Sequence, residues 1–155
     1  MMKTARAQDR IHSLEIPLAE TSLLVPSAAI AEVVAAGALA RVPASPHWLV
    51  GVLGWRLQAV PVISFEALLG GAATAPSEAS KIVVFYPLPG RKPHEFFGVL
   101  TQSEPRPQSI DAVSAIGAEP GELPDSPYLA AGLKSDGQLL AIPDLDALKA
   151  LFYKN

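Results

Sequence analysis

The chain has 155 residues, half of them hydrophobic and 17% charged, with a formal net charge of -3; this permits one domain with a well-filled core and excludes a disordered chain. The negative balance and the scattered Lys and Arg offer no pull toward phosphate backbones or anionic membranes, so nucleic-acid binding is disfavoured. Cysteine is absent, which excludes a disulfide framework, a thiolate metal site and a cysteine nucleophile.

Residues 1–10 carry no apolar periodicity and are expected to be flexible. The opening MMKTARAQDRIHS lacks an apolar h-region, and no apolar run reaches the roughly 18 residues of a spanning helix. A soluble cytoplasmic protein is expected. Fifteen prolines and eleven glycines cut the rest into short apolar runs, the pattern of an all-β, or mainly β, domain. Leu14, Ile16 and Leu18 alternate as a strand with one buried face, and residues 23–25 form its hairpin partner. Ser27 then suits the cap of a short helix carrying Ile30, Val33 and Val34, closed by Gly37.

Val42-Pro43-Ala44-Ser45-Pro46 resists helix and central strand alike, because its prolines remove donors and fix φ; it reads as an ordered loop or an edge. Residues 48–53 and 59–63 are strands about a bend, after which Ser64 caps a short helix over 65–69 that Gly70-Gly71 ends. GGAATAPSEAS is a flexible connector, expected to join two β units near residues 70–80. Residues 82–86 and 95–100 make a hairpin across PLPGRKPH. Residues 103–127 wrap the surface, with a strand or turn at the apolar island 110–116. Gly137 turns the chain into a strand over 138–142, and Asp144 caps a last amphipathic helix carrying Leu145, Leu148, Leu151 and Phe152. ISFEALL at 63–69 echoes PDLDALK at 143–149, each a strand running into a capped helix. Two similar β units are therefore expected.

Signs of catalysis are missing. His12, His47 and His94 lie far apart with no ligand spacing, which argues against a metal site. No GxSxG elbow, P-loop or GxGxxG occurs, and Glu32, Glu66, Asp144 and Asp146 sit where capping and solvation explain them. No catalytic residue, metal or cofactor is assigned, and the chain reads as a noncatalytic interaction module.

The stretch VPSAAIAEVVAAGALARVPASPHWLVGVLGWRLQAVPVISFEALLG resembles, without insertion or deletion, the first half of a CheW-like domain, the coupling protein of bacterial chemosensory arrays. SKIVVFYPL, EFFGVLTQ and SPYLAAGLKSDGQLLAIPDLDALKALF resemble its later strands, so the likeness covers nearly the whole chain. It implies a single domain over 11–155: two small five-stranded SH3/OB-like β barrels packed together, exchanging terminal segments, with short connecting and C-terminal helices. It further implies an adaptor that binds the tip of a chemoreceptor and the regulatory domain of a CheA-type histidine kinase. Two departures mark a divergent branch, similar to ChpC and PilI of the systems that control type IV pili and twitching motility. The family's NLRG turn is Gly54-Trp55-Arg56-Leu57 here, and its VDxV is Leu100-Thr101-Gln102-Ser103. A leucine in place of that glycine costs about 1–2 kcal/mol if positive φ is kept, so a turn of another shape is expected. The family's aspartate after the next strand is Ser64, which keeps the capping ability.

The candidate partner-binding residues are Glu32, which matches the glutamate of the family's EVL segment, with Trp55, Arg56 and Gln58 at the bend. Val34 and Val52 are supports. Tryptophan and arginine are the commonest interface anchors, so the bend reads as a contact surface; alternatively, Trp55 folds back onto the barrel and Arg56 is merely solvated. A rival from another class is a nucleotide sensor in which Trp55 stacks a base and Arg56 pairs with phosphate. An OB-like nucleic-acid binder is the third reading, and the acidic balance opposes it.

Overall fold

The computed structural model describes residues 10–153 apart from 74, 89–91, 112 and 114. The expected flexible segment therefore falls, up to residue 9, outside the described residues, and Arg10 is already the first residue of a strand. In chain order the strands are β1 (Arg10–Pro17), β2 (Ser22–Pro26), β3 (Ile30–Ala35), β4 (Leu39–Ala40), β5 (Leu49–Trp55) and β6 (Gln58–Ile63). The helix α1 (Phe65–Leu68) follows, then β7 (Lys81–Phe85), β8 (Phe97–Leu100), β9 (Arg106–Asp111), β10 (Ile116–Gly117), β11 (Leu129–Ser135) and β12 (Gln138–Pro143), and finally α2 (Leu145–Lys149).

The strands form two sheets, ordered β3-β7-β8-β6-β5-β4 and β9-β1-β2-β12-β11-β10. Only the 3₁₀ turn Ala36–Ala38 separates β3 from β4, so one bent strand supplies both ends of the first sheet and curls it toward a five-stranded barrel. β9 and β10 stand at the two ends of the second sheet in the same way. The two halves share one plan. A hairpin (β5–β6 or β11–β12) with a register shift near its start runs into a short helix, and its second strand pairs in parallel with the next hairpin, β7–β8 or β1–β2. In the second half that next hairpin is the beginning of the chain. Ser64 and Asp144 cap the two helices alike, accepting from the amides of Ala67 and Ala147. The amides of Ser64 and Asp144 in turn donate to the carbonyls of Trp48 and Tyr128, at 2.8 and 2.9 Å.

Two expectations need correction. The 70–80 connector does not join the two β units, because it links α1 to β7 within one sheet. The chain crosses between sheets at the 3₁₀ turn Ser27–Ala29 and again between β8 and β9. The helix expected over Ile30, Val33 and Val34 is the strand β3, and only three residues of 3₁₀ turn precede it. β-Branched side chains disfavour so short a helix, which has no stability of its own, whereas pairing with β7 satisfies the backbone. A shift of register between Ile30 and Glu32 interrupts strict alternation. Ile30 and Val33 pack on one core while Ala31 and Val34 pack on another. That two-sided burial mimics helical spacing.

Three cores result. The largest lies between the sheets, where Ile16, Leu23, Val25 and Leu148 meet Ile63, Phe65, Phe85, Phe97 and Val99. Phe85 and Phe97 stack there, with centroids 4.9 Å apart. The interior of the first sheet holds Leu53, Trp55, Val60, Val62, Ile82, Val84 and Leu100. The second sheet encloses less, namely Leu24, Ile110 and Leu140, together with a charge. Glu15 is completely buried and accepts from Gln108 Nε2 at 2.7 Å, Gln138 Nε2 at 2.7 Å and Arg106 Nη2 at 3.0 Å. Loss of solvent acts to raise its pKa, but hydrogen bonds from Gln108, Ser22, Gln138 and Arg106 together outweigh it and hold the carboxyl below its ordinary value.

Candidate functional site

The β5–β6 hairpin turns on two residues, Arg56 (φ 47°) and Leu57 (φ 63°). Positive φ at both central positions is the tight turn whose twist matches a hairpin. The turn thus keeps the backbone that glycine favours instead of taking another shape, and Leu57 carries a strain of about 1–2 kcal/mol. The matching turn in the second half, Asp136 (φ 51°) and Gly137 (φ 78°), uses the residue pair the geometry prefers.

Trp55 and Arg56 part company at this turn. Trp55, the last residue of β5, points inward and is only 7% exposed. Its ring packs on Phe96 at 4.9 Å, and Phe96 continues to Tyr86 at 6.3 Å. Arg56 lies on the outside, with its guanidinium carbon 4.4 Å from the Trp55 ring centroid. Glu32 joins the two: its Oε1 accepts from Trp55 Nε1 at 3.0 Å and from Arg56 Nη2 at 3.2 Å. A single carboxylate oxygen therefore ties strand β3 to the tip of the β5–β6 hairpin. The other oxygen, Oε2, has no hydrogen-bond partner among the described residues. The ion pair is well exposed, at 60% for Arg56 and 44% for Glu32, so it contributes no more than about 1 kcal/mol to stability. Its effect is to orient. The indole bond and the cation–π contact hold a guanidinium and a carboxylate at fixed places on the surface.

Of the six residues singled out from the sequence, three converge in this cluster, though Glu32 does so from a strand and not from a helix. Gln58 sits opposite Trp55 in the hairpin ladder and is half-buried. Val34 and Val52 are half-buried too, with Val34 packed against the interior of the first sheet. Trp55 is thus folded back onto the sheet, as one of the two readings of the bend had it, while Arg56 is exposed but paired with Glu32 and not merely solvated. A base-stacking role for Trp55 is overturned, because Phe96 and Arg56 cover the ring and little of it reaches solvent.

Phe96 was not identifiable from the sequence as part of this cluster. Its carbonyl accepts from the Tyr153 hydroxyl at 2.6 Å, so the C-terminal end of the chain braces the segment on which Trp55 rests. Burial, and secondarily the Glu95 carboxylate, raise the Tyr153 phenol above its ordinary pKa. It therefore stays a proton donor throughout the neutral range. No helix among the described residues is long and apolar enough to cross a membrane.

A search of curated proteins returned no match. Among solved structures, the scaffolding protein TtCheW from Thermoanaerobacter tengcongensis has a similar fold, with a TM-score of 0.73 over 94% of each chain at 21% identity. The sequence pattern of the CheW-like domain matches residues 12–151. That span takes in both β units and the whole Glu32–Trp55–Arg56 cluster, and on it the chain belongs to the CheW-like domain family.

Proposed function

We propose that the protein is a noncatalytic cytoplasmic adaptor that couples chemoreceptors to a CheA-type histidine kinase, and that the tip of the β5–β6 hairpin with Glu32 faces the kinase regulatory domain. Membership of the CheW-like family supports the adaptor role. The observation that carries the site is the convergence of Glu32, Trp55 and Arg56 on one carboxylate oxygen at an exposed tip. An exposed ion pair adds little to the fold, but one whose geometry is already set can meet a partner without a further ordering cost. The altered turn and the Leu100–Ser103 segment support placement in the branch that serves type IV pilus systems.

Titration of the purified chain with the kinase regulatory domain from the same cell tests this. Arg56→Ala is expected to weaken binding about tenfold while the unfolding midpoint shifts by no more than a few degrees. Glu32→Lys should weaken it further, on the order of 10- to 100-fold, because repulsion replaces attraction at the partner and against Arg56. The difference should shrink in high salt. Reversals at the exposed Glu20 and Glu78 serve as controls and should be nearly silent. Glu122 is unsuitable for that purpose, since it pairs with Lys134 at 2.8 Å. Equal losses at Glu20, Glu32 and Glu78 would mean that net charge, not a defined site, governs association.

A further inference from the structure

We propose that Leu57 is the apolar anchor of the contact with the kinase regulatory domain, a knob that enters an aliphatic socket whose rim carries a carboxylate for the outward side of Arg56. The inference rests on the adaptor reading above and adds to it the residue that supplies affinity. Leu57 is 107% exposed, more than any other large hydrophobic residue described. It therefore contributes no packing to the fold. Its backbone stands at φ 63°, where a leucine is strained and a glycine or asparagine is not.

The molecule contains its own control for this position. The equivalent hairpin of the second half makes the same turn with Asp136-Gly137, the pair that turn geometry alone selects. The first hairpin makes it with Arg56-Leu57, so the needs of the turn do not account for the leucine. Strain held at an exposed position that the fold does not use points to function.

The tip is also rigidly supported. Trp55 is buried directly before it, and Arg56 is fixed by Glu32 and by the indole ring, so the leucine is presented in a set direction at small entropic cost on binding. Binding energy concentrates in side chains that fill a desolvated pocket ringed by contacts that exclude water, and a fully exposed leucine held in a set direction can fill such a pocket on the partner. The partner chemistry follows from the neighbours. An aliphatic socket takes the leucine, and a carboxylate beside it pairs with the guanidinium donors that do not face Glu32.

Leu57→Gly tests this with two readouts of opposite sign. Relief of strain should raise the thermal midpoint by about 1–3 °C, while loss of the knob should raise the Kd for the kinase regulatory domain at least about tenfold. Leu57→Asn, which tolerates the same backbone, should weaken binding similarly, and Leu57→Met should stay within about threefold of the parent. Unchanged or tighter binding by Leu57→Gly overturns the anchor. If Arg56→Ala and Glu32→Lys lose binding while Leu57→Gly does not, the adaptor surface stands and the anchor alone is refuted. If Leu57→Gly instead weakens only a receptor cytoplasmic fragment, the assignment to the kinase is wrong. A parent chain that binds no kinase domain refutes both proposals.

Discussion

Replacing Trp55 by alanine is expected to lower the stability of the fold by about 3–5 kcal/mol, the usual cost of removing a buried tryptophan. The ring fills the interior of the first sheet beside Leu53, Val60 and Val62, and it rests on Phe96. Phe96, on which the ring rests, can close only part of the space it leaves. In a domain of this size the loss corresponds to a fall in thermal midpoint on the order of 10 °C. Trp55→Phe separates the two tasks of the side chain. It keeps most of the packing but removes the indole N–H that Glu32 accepts, and it should cost about 1–2 kcal/mol. Glu32 is then held by Arg56 alone, so binding of the kinase domain should weaken more than stability does. Chemical denaturation of the two variants beside the parent decides the matter. A Trp55→Ala protein within about 1 kcal/mol of the parent would show that the ring is not part of the core.

The second large effect belongs to Glu15. Glu15→Ala should destabilise by about 2–4 kcal/mol, since Gln108 and Gln138 lose a buried acceptor and Arg106 loses its partner. The pH dependence gives a cleaner test. The carboxyl is held below its ordinary value in the folded chain, so the unfolded state binds the proton more readily. The resulting stability is present above the ordinary glutamate pKa and is lost as pH falls through the lower, folded value. Glu15→Gln has no such proton to take up. At pH 7 it should be less stable than the parent by about 1.5–3 kcal/mol, and the gap should narrow as pH drops toward about 3. A constant gap between pH 7 and pH 3 would mean that the loss comes from packing and not from the charge.

Much of this protein follows from local chemistry, and those parts could be read directly. The hairpin about Trp55 and Arg56, the serine and aspartate caps at Ser64 and Asp144, and the hairpin from Ile82 to Leu100 each depend on a few neighbouring residues. Their backbone preferences and turn chemistry act over one or two turns. The matching of ISFEALL and PDLDALK carried the pseudo-repeat for the same reason, since a strand entering a capped helix has a short, local signature.

Tertiary structure decided the rest, because in a closed sheet neither face of a strand is assured of solvent. Alternation in β1 places Leu14 and Ile16 on one face and Ser13 and Glu15 on the other, which in an open sheet would be the wet side. Here Arg106, Gln108 and Gln138 cover the second face, and Glu15 is buried among residues more than 90 positions away. In β3 both faces meet a core, so its apolar residues lose the simple period of two and take on the look of a helix. The inward turn of Trp55 and the outward turn of Arg56 depend likewise on Glu32, Phe96 and the curvature that brings β3 beside the hairpin tip. Sequence determined which residue types stand at that tip. Only the closure of the sheet, by bringing distant strands together, determined which of them faces water.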